Sequence, residues 1–256
     1  MSIPTLATTC LWIRQDQDLT REEAQKLLGF SISHLARIEN GFSPHPKTLE
    51  LLIRGYRLNQ AMAAHLRDLA APDVPLAPTQ SLRTYVATDP TLTMNLDRLQ
   101  ARGLLAAYTD PLWNVLARND SFTRTVRGID ESESIASWMF SPHSRSILVD
   151  PEAEKAWTVA TLKATMGRYR TSQQAQTLVS ELGPNPDAQR LWAASLNATS
   201  GRDTTSPLHT VNAFGRPISY QINFSDGVRA HHIQLITATP EPYSGPPVHA
   251  GDGERR

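Results

Sequence analysis

Ser33, His34, Arg37 and Asn40 fall where a short helix would carry them on the side away from Leu35 and Ile38. A hydroxyl, an imidazole, a guanidinium and an amide are groups that hydrogen-bond base edges and phosphates. Arg21, Ser31 and Lys47 complete the set: Arg21 opens the preceding helical pattern, Ser31 stands just before this one, and Lys47 opens the next. The chemistry implied is recognition of nucleic acid, with Arg21, Arg37 and Lys47 as the placed cations.

A recognition helix needs a second helix to hold it. The stretch Leu19 to Gly41, LTREEAQKLLGFSISHLARIENG, contains two short helical patterns that meet at Leu28-Gly29-Phe30. Gly29 suits the positive φ of a tight turn, and Ser31 suits the cap of the second helix. Ala24, Leu27 and Leu28 form the apolar stripe of the first helix, and Leu35 and Ile38 that of the second. Leu19-Thr20, Gly29-Phe30-Ser31 and Arg37-Ile38-Glu39-Asn40-Gly41 stand at the offsets found in Cro/C1-type (XRE) helix-turn-helix domains, which residues 10–70 resemble. The resemblance implies an all-α module of five short helices whose partner is double-stranded operator DNA, with Cys10 in its core. Helical patterns over Thr8 to Gln15, Lys47 to Tyr56 and Asn59 to Ala70 supply the remaining three.

At 256 residues the chain exceeds a usual single domain, so two domains are expected. Its 25 Lys and Arg are balanced by 25 Asp and Glu, which excludes a globally basic coat for nucleic acid. Residues 1–72 hold eight Lys or Arg against seven Asp or Glu, a net of +1, so DNA affinity rests on a few directed contacts doubled by a homodimer. The lone Cys10 excludes an internal disulfide and a thiolate zinc cage and fits a reducing cytoplasm. No apolar run reaches the roughly 18 residues that span a bilayer, and the N-terminus lacks a signal peptide's pattern. The expectation is a cytoplasmic protein without membrane partners.

Residues 1–71 are read as the DNA-binding domain, and 72–79, interrupted by Pro72, Pro75 and Pro78, as a semi-rigid linker. A second domain over 80–240 opens with a mixed stretch, Leu82 to Leu99, and a strand pair, Gly103 to Thr109 and Trp113 to Arg118, around the Asp110-Pro111 turn. Helical patterns follow over Asp120 to Arg127, Ser134 to Phe140, Asp150 to Tyr169, Gln173 to Leu182 and Asp187 to Ala194. Strands over Leu208 to Val211, Pro217 to Phe224 and Ala230 to Thr237 are separated by turns at Phe214-Gly215-Arg216 and Asp226-Gly227. The expected class is α+β and PAS-like, an antiparallel sheet with helices flanking one face, followed by a disordered tail over 241–256. Trp113 to Asn119, Asp150-Pro151 with Trp157, Leu178 to Leu182 and Arg190-Leu191-Trp192-Ala193 give residues 80–240 a resemblance to the ligand-binding domain of MmyB-like transcription regulators. That resemblance implies a bound fatty acid or other lipophilic molecule. Members carry a His after the Leu-Trp-Ala run and a His-Pro-x-x-Gly before the next strand; here Ser195-Leu196-Asn197 and Val211 to Gly215 stand there, which leaves the ligand's identity open.

The aromatics Tyr108, Trp113, Phe122, Trp138, Phe140, Trp192, Phe214 and Tyr220, with Trp157 beside them, are the candidates to wall an apolar cavity. Catalytic candidates are lacking: there is no phosphate loop, nucleophile elbow or deaminase signature, and His231 and His232, read on a strand, would point to opposite faces. No metal site, cofactor or enzyme activity is expected. The sequence leaves two readings, a ligand-responsive regulator and a repressor whose second domain serves only dimerisation or partner docking.

Overall fold

The computed structural model describes residues 1–194, 198–199, 202–203 and 205–248. The chain divides into two compact units, one of Met1–Pro75 with Val159–Ser200 and one of Leu76–Thr158 with Gly201–Arg256. The stretch from Val159, which the expected domain over 80–240 includes, groups by contacts with the N-terminal helices.

The first unit begins with α1 (Leu6–Asp16), α2 (Arg21–Leu28), α3 (Ile32–Glu39), α4 (Pro46–Gly55) and α5 (Gln60–Ala70). Local chemistry sets each start. Thr5 and Thr8 form a capping box on α1, Thr20 and Glu23 form another on α2, and Ser31, His45 and Asn59 cap the next three. Gly29 ends α2 at φ +74°, the left-handed conformation that lets α3 turn away within three residues. Cys10, Ala24, Leu28, Leu35, Ile38, Leu52 and Leu66 make one buried core. Leu27, expected to face inward, is 51 % exposed, because the line through Ala24 and Leu28 is the one that faces the core.

The second unit holds α6 (Thr79–Thr88), α7 (Pro90–Ala101), β1 (Leu105–Thr109), β2 (Val115–Arg118), α8 (Asp120–Thr125), α9 (Ile129–Ser132), α10 (Ile135–Met139) and α11 (Pro142–Ile147). It also takes the first turns of α12 (Pro151–Arg168), then β3 (Leu208–Val211), β4 (Pro217–Val228) and β5 (Ile233–Glu241). The strands form one antiparallel sheet in the order β2-β1-β5-β4-β3. The stretch Leu82 to Leu99 is two helices, broken where Asp89 caps α7 ahead of Pro90. Those two helices correct a further expectation, that helices cover one face of the sheet only. Every residue of β1 is buried: Leu105 and Ala107 join a core with Phe122, Trp138 and Ile147, while Ala106 and Tyr108 join one with Leu82, Val86 and Leu96.

The expected turn at Asp226-Gly227 is a bulge instead, and β4 continues to Val228. The chain reverses through a 3-10 turn, Arg229–His231, with His232 left-handed at φ +55°, so neither histidine lies on a strand. The start of the tail expected to be disordered is packed: Glu241 ends β5, the Tyr243 ring meets His209 edge-on at 5.4 Å, and Ser244 N–H donates to Ser219 Oγ at 3.0 Å. Residues 249–256 and Ser195-Leu196-Asn197 lie outside the described residues.

In the first unit the remainder of α12 is followed by α13 (Gln173–Leu182) and α14 (Pro186–Ala194). Gly167 on α12 permits close approach to α5, since a Cβ there would sit 2.8 Å from His65 Cε1. Lys163 Nζ donates to the Trp192 carbonyl at 2.7 Å and lies 4.6 Å from the Trp12 ring centroid. Burial lowers the Lys163 ammonium to about 8. The first half of the Pro-rich segment is fastened to this packing: Val74 N–H donates to the Arg168 carbonyl at 3.0 Å, and Arg170 Nη2 to the Ala71 carbonyl at 2.7 Å. No described helix is long and apolar enough to cross a membrane.

Candidate functional site

The first candidate surface is built on α3. Leu35 and Ile38 anchor the helix in the core, and Glu39 at its end accepts from Arg14 Nε at 2.6 Å and Arg21 Nε at 2.8 Å. Burial by itself would raise the Glu39 carboxyl; the hydrogen bonds from Arg14 and Arg21 outweigh it and hold it below the usual carboxylate range. Three helices are thus tied at one carboxylate, and the outer side of α3 is fixed as a consequence. Ser33 and Arg37, four residues apart, are both exposed there. The Arg37 guanidinium lies 4.1 Å from the Phe42 ring centroid and makes no ion pair among the described residues. An exposed guanidinium without an ion pair is suited to a bidentate acceptor such as a guanine edge or a phosphate.

The other five residues expected at this surface have varied placements. Ser31 is spent on its cap, accepting from His34 N–H at 3.2 Å, and Asn40 is exposed with its amide donating to the Ala36 carbonyl at 2.8 Å. Lys47 is exposed at the start of α4, and Arg21 is 41 % exposed beside its bond to Glu39. His34 is half-buried: its ring lies edge-on to Phe30 at 5.4 Å and Phe42 at 5.8 Å, with Nε2 buried. It positions Phe42, on which Arg37 rests.

The second candidate site is an apolar cavity of about 100 Å³ inside the second unit. Its walls are the inner face of the sheet, with Leu105, Tyr220, Ile222 and Phe224, and the helical side, with Phe122, Trp138, Met139 and Ile147. Trp113 and Trp157 stack at 5.3 Å with 20° between planes, and Phe224 lies 6.1 Å from each. Trp113 reaches that position from a left-handed backbone, φ +66°, at the end of the Asp110 turn. The fully buried Asp110 carboxylate holds the turn, accepting from Leu112 N–H, Asn114 N–H and Asn114 Nδ2 at 2.9, 3.1 and 2.8 Å. Burial raises its pKa despite those bonds. Trp138 satisfies its indole N–H on the Arg127 carbonyl at 2.7 Å, leaving its ring as wall.

Residues 88–245 match the family model for the MmyB-like transcription regulator ligand binding domain, and residues 12–66 match that of a helix-turn-helix domain. The chain belongs to the MmyB-like transcription regulators. No curated protein matches it. As a member of that family it is a DNA-binding transcription regulator that carries a ligand-binding domain.

Of the aromatics expected to wall the cavity of this MmyB-like regulator, Trp113, Phe122, Trp138 and Tyr220 do so, and Trp157 joins them. Four do not. Tyr108 faces the opposite side of the sheet, its hydroxyl accepting from Asn95 Nδ2 at 3.0 Å. Phe140 packs at the margin of the same core, away from the cavity lining. Trp192 belongs to the first unit beside Lys163. Phe214 is 88 % exposed in a turn where Asn212 Oδ1 accepts from Phe214 and Arg216 N–H at 2.9 and 3.0 Å. Phe224 was missed, although its spacing from Tyr220 and Ile222 places all three on one strand face.

Proposed function

We propose that this regulator binds operator DNA as a homodimer in the cytoplasm, and that a small lipophilic molecule in the second unit's cavity alters its DNA affinity. The observation that carries this reading is the cavity walled by Trp113, Trp157 and Phe224. A domain used only for dimerisation has no reason to leave such a space unfilled, because close-packed cores gain dispersion contacts that an open cavity forgoes. Ser33 and Arg37 are the base or phosphate readers in this reading, with Arg21, Asn40 and Lys47 at the rim. One module covers only about 600 to 1,000 Å² of DNA, so pairing supplies the rest. Native mass spectrometry of freshly purified protein tests it: a dimer carrying a small apolar adduct is expected, and a ligand-free monomer that also binds a palindromic operator as a monomer would overturn it.

A further inference from the structure

The cavity lining includes two charged side chains. Arg202 and Glu154 line it, with side chains only 8 % and 12 % exposed, and they pair with each other: Nη1 donates to Oε2 and Nη2 to Oε1, both at 2.6 Å. Arg202 is engaged on its other side too, Nε donating to the Ser206 carbonyl at 2.7 Å and Nη2 to the Pro207 carbonyl at 3.2 Å. Its Cζ lies over the Trp157 ring, 5.2 Å from the centroid, so the pair abuts the aromatic wall. Four of the five N–H groups therefore have acceptors among the described residues, and one on Nη1 remains. Each Glu154 oxygen takes one bond from Arg202 and keeps lone pairs.

Resting on the reading of the cavity as a lipophile site, we infer that this pair selects an uncharged ligand whose polar end both donates and accepts a hydrogen bond, such as a long-chain alcohol or primary amide. The remaining Nη1 hydrogen serves the ligand's oxygen, and Glu154 accepts its O–H or N–H. A carboxylate is disfavoured. The charge of Arg202 is already balanced, and a second anion would sit beside Glu154 in a nearly dry site or take Arg202 away and leave Glu154 buried without its partner. The other residues lining the cavity carry no charge that could compensate.

The test compares dodecanol with dodecanoate at about pH 8, where carboxylic acids are ionised, by titration calorimetry on the full chain stripped of bound lipid. Dodecanol is expected to bind at least about tenfold more tightly in the parent protein. Glu154→Gln removes the competing anion and leaves Arg202 uncompensated, so dodecanoate should gain at least about tenfold and the preference should close or reverse. The parent comparison stands whether or not the variant folds. Dodecanoate binding as well as or better than dodecanol in the parent would overturn the selectivity while leaving the lipophile site intact. An unaltered preference in folded Glu154→Gln would overturn the role of the pair, and binding of neither probe would overturn both the selectivity and the lipophile site.

Discussion

Arg21 and Arg37 have the same side chain and opposite tasks. Arg21 closes on the buried Glu39, whereas Arg37 rests on Phe42 with no ion pair among the described residues. Arg37→Ala is expected to weaken operator binding by about 1 to 3 kcal/mol if it reads a base, or to lower the salt slope by about one if it meets a phosphate, with the melting temperature little changed. Arg21→Ala should lower the melting temperature instead, because Glu39 loses one of its two cations; gel-shift titration beside thermal melting separates them. His65 carries a pH prediction. It is 4 % exposed; desolvation drives its pKa from 6.5 to about 4, with Lys163 adding to the shift and a bond to the Ala164 carbonyl opposing it. Between those values the unfolded chain binds the proton that the folded chain refuses, so stability is lost as pH falls from about 6.5 to about 4, by up to about 3 kcal/mol. His65→Gln should flatten that limb of a denaturation series, and an equally steep acid loss in the variant would remove His65 as its source.

At the scale of elements, capping residues and turns were the most legible part of the chain. Thr20, Ser31 and Asn59 announce their helices because one side-chain oxygen within reach of a backbone N–H is a purely local event. Gly29 belongs with them: any side chain at φ +74° is strained, so Gly29→Ala should cost about 1 to 2 kcal/mol in urea unfolding although no atom lies near the added methyl. A cost below measurement would mean that the turn relaxes. Gly167→Ala fails for the other reason, a clash with His65 and Leu69. What the sequence concealed depends on partners far along the chain. Tyr108 and Leu105 look alike on a strand buried on both sides, and only the register with β5 and the helices beyond assigns each a face. Trp192 lies in a stretch that resembles the ligand-binding domain, yet its neighbours are Trp12 and Lys163. Phe214 was legible after all: it stands in the turn Phe214-Gly215-Arg216, where a wall residue has nothing to pack against.

At the scale of the whole molecule, a ligand alters DNA affinity only if it binds the DNA-competent and incompetent arrangements unequally, and couplings of about 1 to 3 kcal/mol are typical. The chain passes between the two units after Pro75, after Thr158 and again after 200, and the second passage lies within the continuous helix α12. One helix therefore carries Glu154 and Trp157 in the cavity lining and, further on, Lys163 and Gly167 in the packing against Trp12 and His65. The Pro-rich segment has a lesser claim as the lever, since its residues through Val74 are fastened to Arg168 and Arg170 within the first unit. Replacing 76–79 by Gly and Ser should then leave the ligand response largely intact. The exposed Ala156 and half-buried Ala160 flank the passage in α12, and changing both to Gly costs helix stability by about 1 kcal/mol each. The double variant should still bind a lipophilic probe and still bind operator, while the shift in operator affinity produced by the probe falls at least about threefold, measured by fluorescence anisotropy with and without probe. Full coupling in the Gly pair together with its loss in the Gly/Ser connector would assign the signal to the connector and remove α12 from the route.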